Sequence, residues 1–144
     1  MIETTQPETG SVAVEGRRIA IRHRAGRAPG LFWLGGFRSD MAGTKAQAID
    51  RFAMREGLEA TRFDYSGHGE SGGAFLEGTI TRWLAESLAV FETQTTDRQI
   101  VIGSSMGGWL AMLLNRALRQ KGVARVKALV LVAPAVDMTE DLMR

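Results

Sequence analysis

The chain contains no cysteine. That absence excludes a disulfide scaffold, a thiolate nucleophile and a zinc site built on sulfur, and it suits a reducing compartment. Histidine is nearly as scarce, with only His23 and His68 in 144 residues, so there are few choices of general base. Long apolar runs are missing too. The longest, residues 128–136, is far short of the roughly 20 residues that span a bilayer. Residues 1–10 hold two glutamates and no apolar stretch, which fits neither a secretory signal nor a transit peptide. A soluble, cytoplasmic protein with no membrane span is the expectation. Charge of one sign is also lacking: 18 basic against 16 acidic side chains leave a net +2, and the basic ones are scattered. No nucleic-acid partner is expected from that balance. Arg17, Arg18, Arg22, His23 and Arg24 alternate with apolar residues, so they read as the solvated face of a strand, with His23 at the surface.

What is there suits one folded domain. An apolar content of 44% and a charged content of 24% are ordinary for a globular protein, and 144 residues supply a single core. Residues 1–10 read as a polar tail and 11–144 as one domain. Short apolar runs alternate with helical periodicity, which predicts an α/β fold with a mostly parallel sheet. Residues 12–14 and 19–21, separated by Glu15-Gly16-Arg17, predict an opening antiparallel hairpin. Residues 31–34 predict a buried strand ending at Gly35-Gly36. Ala46, Ile49, Phe52 and Ala53 recur at helical spacing across 44–56, with Gly57 as the stop. A strand follows at 61–64, then a glycine-rich loop at 67–73. Ile80, Trp83, Leu84, Leu88 and Phe91 mark a second helix, and residues 99–102 a short strand. Met106, Trp109, Leu110, Leu113, Leu114, Ala117 and Leu118 mark the strongest helix, stopped near Gly122. Residues 128–132 are apolar on both faces, the pattern of a central parallel strand covered by helices.

The pattern G-x-S-x-G occurs twice, at Gly103-Ser104-Ser105-Met106-Gly107 and at Gly69-Glu70-Ser71-Gly72-Gly73. On its own it is a weak signal. Its physical content is stronger: a nucleophilic serine must sit where a strand turns abruptly into a helix, with small neighbours so that the two backbones can nearly touch. Ser105 meets those terms. A strand leads in, the best amphipathic helix leads out, and Gly103, Gly107 and Gly108 clear the space. The helix start also brings N–H donors and partial positive charge to the serine oxygen. The bland alternative is an ordinary serine N-cap. Ser71 fails, because Gly72-Gly73-Ala74-Phe75 cannot open a helix. The string Gly67-His68-Gly69-Glu70-Ser71-Gly72 also satisfies G-x-G-x-x-G, but a dinucleotide site needs a helix starting inside the glycines, and none is predicted before about residue 79.

Acyl transfer needs two donors aimed at the developing oxyanion. The residue after the serine, Met106, offers one backbone N–H. The other is expected from the loop after the 31–34 strand, where Gly35-Gly36 let the chain approach closely; Phe37 N–H is the candidate.

Three ordered landmarks resemble the α/β-hydrolase superfamily: Gly35-Gly36-Phe37, the segment Asp64-Tyr65-Ser66-Gly67-His68-Gly69-Glu70-Ser71, and the 103–107 elbow. The fuller strings at 39–45, 62–67 and 103–109 resemble the mitochondrial abhydrolase-domain group of acyl-protein thioesterases and acyl-glucuronide esterases, with their bacterial relatives. The resemblance covers about residue 12 onward. It implies an α/β-hydrolase fold and hydrolysis of a small acyl ester or thioester through an acyl-enzyme on Ser105, with no cofactor and no metal. One departure stands at Gly35, where many superfamily members carry histidine, although a backbone donor does not depend on that side chain.

The same resemblance implies the chain order serine, acid, histidine, yet His23 and His68 both precede Ser105. Asp137, after the 128–132 strand, stands where some superfamily members carry the acid; the bland alternative is a helix-capping or loop aspartate before Thr139-Glu140-Asp141. The expectation is therefore an N-terminal portion of a hydrolase, cut after its sixth strand and nearly inactive alone, with a second chain or a continuation completing the sheet. The alternative is a catalytically dead module that binds a ligand or partner. Met138, Leu142 and Met143 suggest the start of a lid over an acyl pocket.

Overall fold

The computed structural model describes residues 6–132; Asp137, Met138, Leu142 and Met143 lie outside them. Six strands and three helices follow one another as β1 (Glu8–Val14), β2 (Arg17–Arg24), β3 (Arg27–Leu34), α1 (Thr44–Glu56), β4 (Leu58–Phe63), α2 (Ile80–Gln94), β5 (Gln99–Ser104), α3 (Met106–Gln120) and β6 (Val126–Val132). The sheet order is β1-β2-β4-β3-β5-β6. β1 and β2 pair antiparallel, as do β2 and β4, while β3, β4, β5 and β6 run parallel. The predicted α/β architecture with an N-terminal hairpin is what forms. Among the described residues no helix is long and apolar enough to cross a membrane.

The local devices are those the sequence advertises. Glu15 and Gly16 both take positive φ, 49° and 81°, the requirement of the two-residue turn that matches strand twist. α1 stops at Gly57, φ 71°, whose N–H reaches back to Ala53 and Met54 carbonyls. α2 opens on Thr79, whose Oγ1 accepts the Arg82 N–H at 3.1 Å. β1 starts at Glu8, inside the stretch read as tail, because an edge strand pairs through its backbone and needs no apolar side chain.

The sheet is covered on both faces by alternation along its strands. Phe32, Leu34 and Val101 pack with α2 and α3 through Phe91, Leu110 and Leu114, and Phe32 meets Phe91 edge-on at 5.3 Å. Leu31, Trp33 and Ile102 point the other way, onto Ala46 and Ala53 of α1. Among the described residues β6 is the sheet edge, with Leu129 and Leu131 packed on the main core and Val130 and Val132 exposed.

Two charged residues near the end of β4 are buried, which the apolar pattern did not foretell. Asp64 accepts the Met41 N–H at 2.7 Å and the Glu70 N–H at 2.8 Å, and Arg62 Nη1 donates to the Met41 carbonyl at 2.7 Å. Burial lifts the Asp64 carboxyl above its ordinary range against the pull of those two N–H bonds. Asp64→Ala would strand two donors, each costing about 1–3 kcal/mol when left without a partner. The expected loss is about 3 kcal/mol in urea unfolding, with Asp64→Asn losing less because its amide oxygen still accepts one of them. Equal stability of Asp64→Ala and the parent would show that those bonds carry nothing.

Candidate active site

β5 ends at Ser104 and α3 begins at Met106, leaving Ser105 to make the whole turn. It does so at φ 57°, ψ −121°, a conformation that costs a non-glycine residue about 1–3 kcal/mol. An N-capping serine sits in extended backbone and accepts a helix N–H; Ser105 does neither. Its hydroxyl makes no hydrogen bond to any described residue, and its backbone is tied by Ser105 N to Val132 O and Gly108 N to Ser105 O, both at 2.9 Å. The ordinary N-cap reading is therefore set aside.

The neighbours leave no room for side chains. A Cβ on Gly103 would overlap the Gly107 carbonyl, and one on Gly107 would overlap the Leu34 and Gly35 carbonyls. The end of β3 thus lies directly against the first turn of α3. Gly36 carries the contact on to the serine, since a Cβ there would stand 3.5 Å from Ser105 Cβ. Neither the Phe37 N–H nor the Met106 N–H donates to a backbone or side-chain acceptor among the described residues. These are the two groups the sequence singled out as oxyanion donors. Gly36, Phe37, Ser104 and Ser105 line one cleft of about 320 Å³, closed on the other side by Trp33 and the start of α1. Lys45, which the sequence did not single out, extends into it from α1 and donates from Nζ to Ser104 Oγ at 3.2 Å.

The other sequence candidates fall away from the cleft. Ser71 is structural: its hydroxyl donates to Asp64 O at 2.6 Å and accepts the Ala20 N–H at 2.8 Å. Only a single 3₁₀ turn, Phe75–Glu77, precedes α2, so no helix opens inside the glycine run and no phosphate cradle forms. His23 is half-buried rather than at the surface, with Nε2 at 2.8 Å from Glu59. Burial tends to raise the Glu59 carboxyl, but bonds from His23 and Gln99 outweigh it and leave it below the ordinary value. Its stabilising contribution is present above the unfolded value and is lost as pH falls through the folded one. His68 is buried, and both ring nitrogens are spent on backbone: Nε2 accepts the Arg38 N–H and Nδ1 faces Ser66 O, each at 3.1 Å. No cluster of three or more metal-ligating side chains occurs among the described residues.

Comparison with known proteins agrees with this fold. Residues 36–144 match the family described as serine aminopeptidase, S33. The chain is 41% identical over 119 residues to bovine (Bos taurus) mitochondrial palmitoyl-protein thioesterase ABHD10, covering 83% of this chain and 38% of that protein. A putative hydrolase from Agrobacterium vitis S4 superposes with a TM-score of 0.89 at 46% identity, over 97% of this chain and 57% of that one. Mouse α/β-hydrolase domain-containing protein 10 does so with a TM-score of 0.81 at 33% identity, over 90% of this chain and 51% of its own. The chain thus spans 38% of the length of the curated relative and somewhat over half of the solved ones.

Proposed function

The chain belongs to the serine aminopeptidase (S33) family and has the α/β-hydrolase fold, and from that premise we propose that it carries the nucleophile and oxyanion hole of an esterase or thioesterase. The observation that carries the reading is Ser105 itself: a strained, half-buried serine with an unengaged hydroxyl, beside two unengaged backbone donors. Ser105 Oγ attacks the acyl carbonyl carbon, and the carbonyl oxygen takes up negative charge facing Phe37 and Met106 N–H. The bond to the leaving oxygen or sulfur then breaks and leaves an ester on Ser105, which water hydrolyses without a cofactor. The name of the bovine thioesterase relative supports an acyl ester or thioester as the bond cleaved.

The serine hydroxyl needs a base, and neither histidine of the chain is free to act as one. The acid and base belong to residues outside 6–132. One observation favours the non-catalytic alternative, namely that both imidazoles are already bonded. A fluorophosphonate probe separates the two readings, because it reports nucleophile activation without the natural substrate. The full-length protein is expected to be labelled on the peptide containing Ser105, and Ser105→Ala is expected to take no label. A parent that resists labelling would leave the binding-module reading standing.

A further inference from the structure

Ester cleavage does not by itself call for the string 64–71, yet that loop is bonded at nearly every residue. Gly67 N–H reaches Gly72 O at 2.9 Å, His68 N–H reaches Tyr65 O at 3.0 Å, and Ser66 N–H reaches Glu86 Oε1 at 2.8 Å. Gly69 lies at φ 47°, with its missing Cβ replaced by the Asp64 carboxylate. This built platform reaches across to the 35–38 loop at two points. Tyr65 OH donates to the Gly35 carbonyl at 2.8 Å, and His68 Nε2 accepts the Arg38 N–H at 3.1 Å. The Nδ1–H of His68 donates to Ser66 O, which fixes the tautomer that leaves Nε2 an acceptor.

Between the two anchors lie Gly36 and Phe37. Arg38 sits at φ 62°, a left-handed conformation that a side-chain-bearing residue keeps only when its surroundings impose it. The Phe37 ring is held as well, stacked on Phe75 at 5.2 Å and tilted against Trp83 at 6.0 Å. We infer that Tyr65 and His68 are positioning residues for the oxyanion hole: they clamp the 35–38 loop at its two ends and so aim the Phe37 N–H at the space beside Ser105. The catalytic half of this inference rests on the esterase reading, whereas the clamp itself rests on hydrogen-bond geometry alone.

The test uses the full-length protein with Tyr65→Phe, His68→Leu, His68→Gln and Ser105→Ala. It reads hydrogen exchange at the Arg38 amide, thermal melting, and kcat and KM for p-nitrophenyl acetate. In His68→Leu, Arg38 exchange is expected to quicken by about tenfold or more. Its kcat is expected to fall about 10- to 100-fold, with KM within about twofold, since the donor matters only once charge develops. The Gln variant, whose amide oxygen reaches near the place of Nε2, restores most of both. Tyr65→Phe removes one hydroxyl and is expected to lower kcat about tenfold with little change in melting. Unchanged Arg38 exchange in His68→Leu overturns the clamp whatever the activity. Faster exchange with kcat intact overturns its catalytic role, as does a fall in kcat that Gln does not recover and that tracks melting. Turnover surviving in Ser105→Ala would instead defeat the esterase reading and the clamp's catalytic role with it, with Arg38 exchange still deciding the clamp.

Discussion

Replacing Ser105 by alanine is expected to lower p-nitrophenyl acetate turnover by the full-length protein by about ten-thousandfold or more, with melting nearly unchanged. On the proposed mechanism the magnitude follows from losing the atom that forms the acyl-enzyme; what survives is water attack assisted by the proposed oxyanion donors. Glycine at the same position gives a sharper result. Ser105 holds φ 57°, ψ −121°, where glycine is at ease and serine is not. Ser105→Gly should therefore be as inactive as the alanine variant but more stable by about 1 kcal/mol, after allowing for the extra chain entropy of glycine. That is a rise of about 3 °C in melting temperature for a domain of this size. Opposite signs for stability and activity mark a residue kept for its oxygen rather than for the fold. A glycine variant that melts lower than the parent would show that the turn is not strained, and the main argument for Ser105 would go with it.

Much of the architecture was written in local pattern. α1 could be placed at 44–56 because its apolar residues recur at helical spacing and Gly57 follows. The abrupt strand-to-helix turn at Ser105 was legible for the same reason, since strand, serine, glycines and helix are consecutive in the chain. What escaped were contacts between residues about 30 positions apart. Nothing near Tyr65 says that its hydroxyl will meet Gly35, and nothing near His68 says that its ring will hold Arg38. A histidine inside a glycine run has no periodicity to betray its burial. The partners of Arg62 and Asp64 escaped too: the Met41 backbone supplies an acceptor to the first and a donor to the second. His23 was placed at the surface because Glu59, its partner, lies 36 residues away on β4. β6 was legible as a strand from its apolar run alone, and the described sheet has it at the edge with Val130 and Val132 exposed.

The heaviest stability loss is expected at a position with no functional group at all. Gly107 lies in the first turn of α3, and the atoms nearest its missing side chain are the carbonyls of Leu34 and Gly35. Both are backbone, at the end of a central strand bonded on each side to β4 and β5, so neither can swing aside as a flexible side chain would. Gly107→Ala must therefore push α3 away from β3. The cost is expected at about 3 kcal/mol or more, in the range of overpacking that distorts backbone. The same displacement parts the two proposed oxyanion donors, because Met106 travels with α3 while Phe37 travels with β3, so kcat should fall about 100-fold even in the fraction that stays folded. Gly122→Ala supplies the control. It replaces a glycine just past the other end of α3, at φ 77°, but its Cβ would meet nothing within 4 Å. It should cost only about 1 kcal/mol and leave kcat alone. If the two alanines prove equally mild in urea unfolding and in turnover, strand and helix are not in contact at the elbow, and the 35–38 loop is not what faces Ser105.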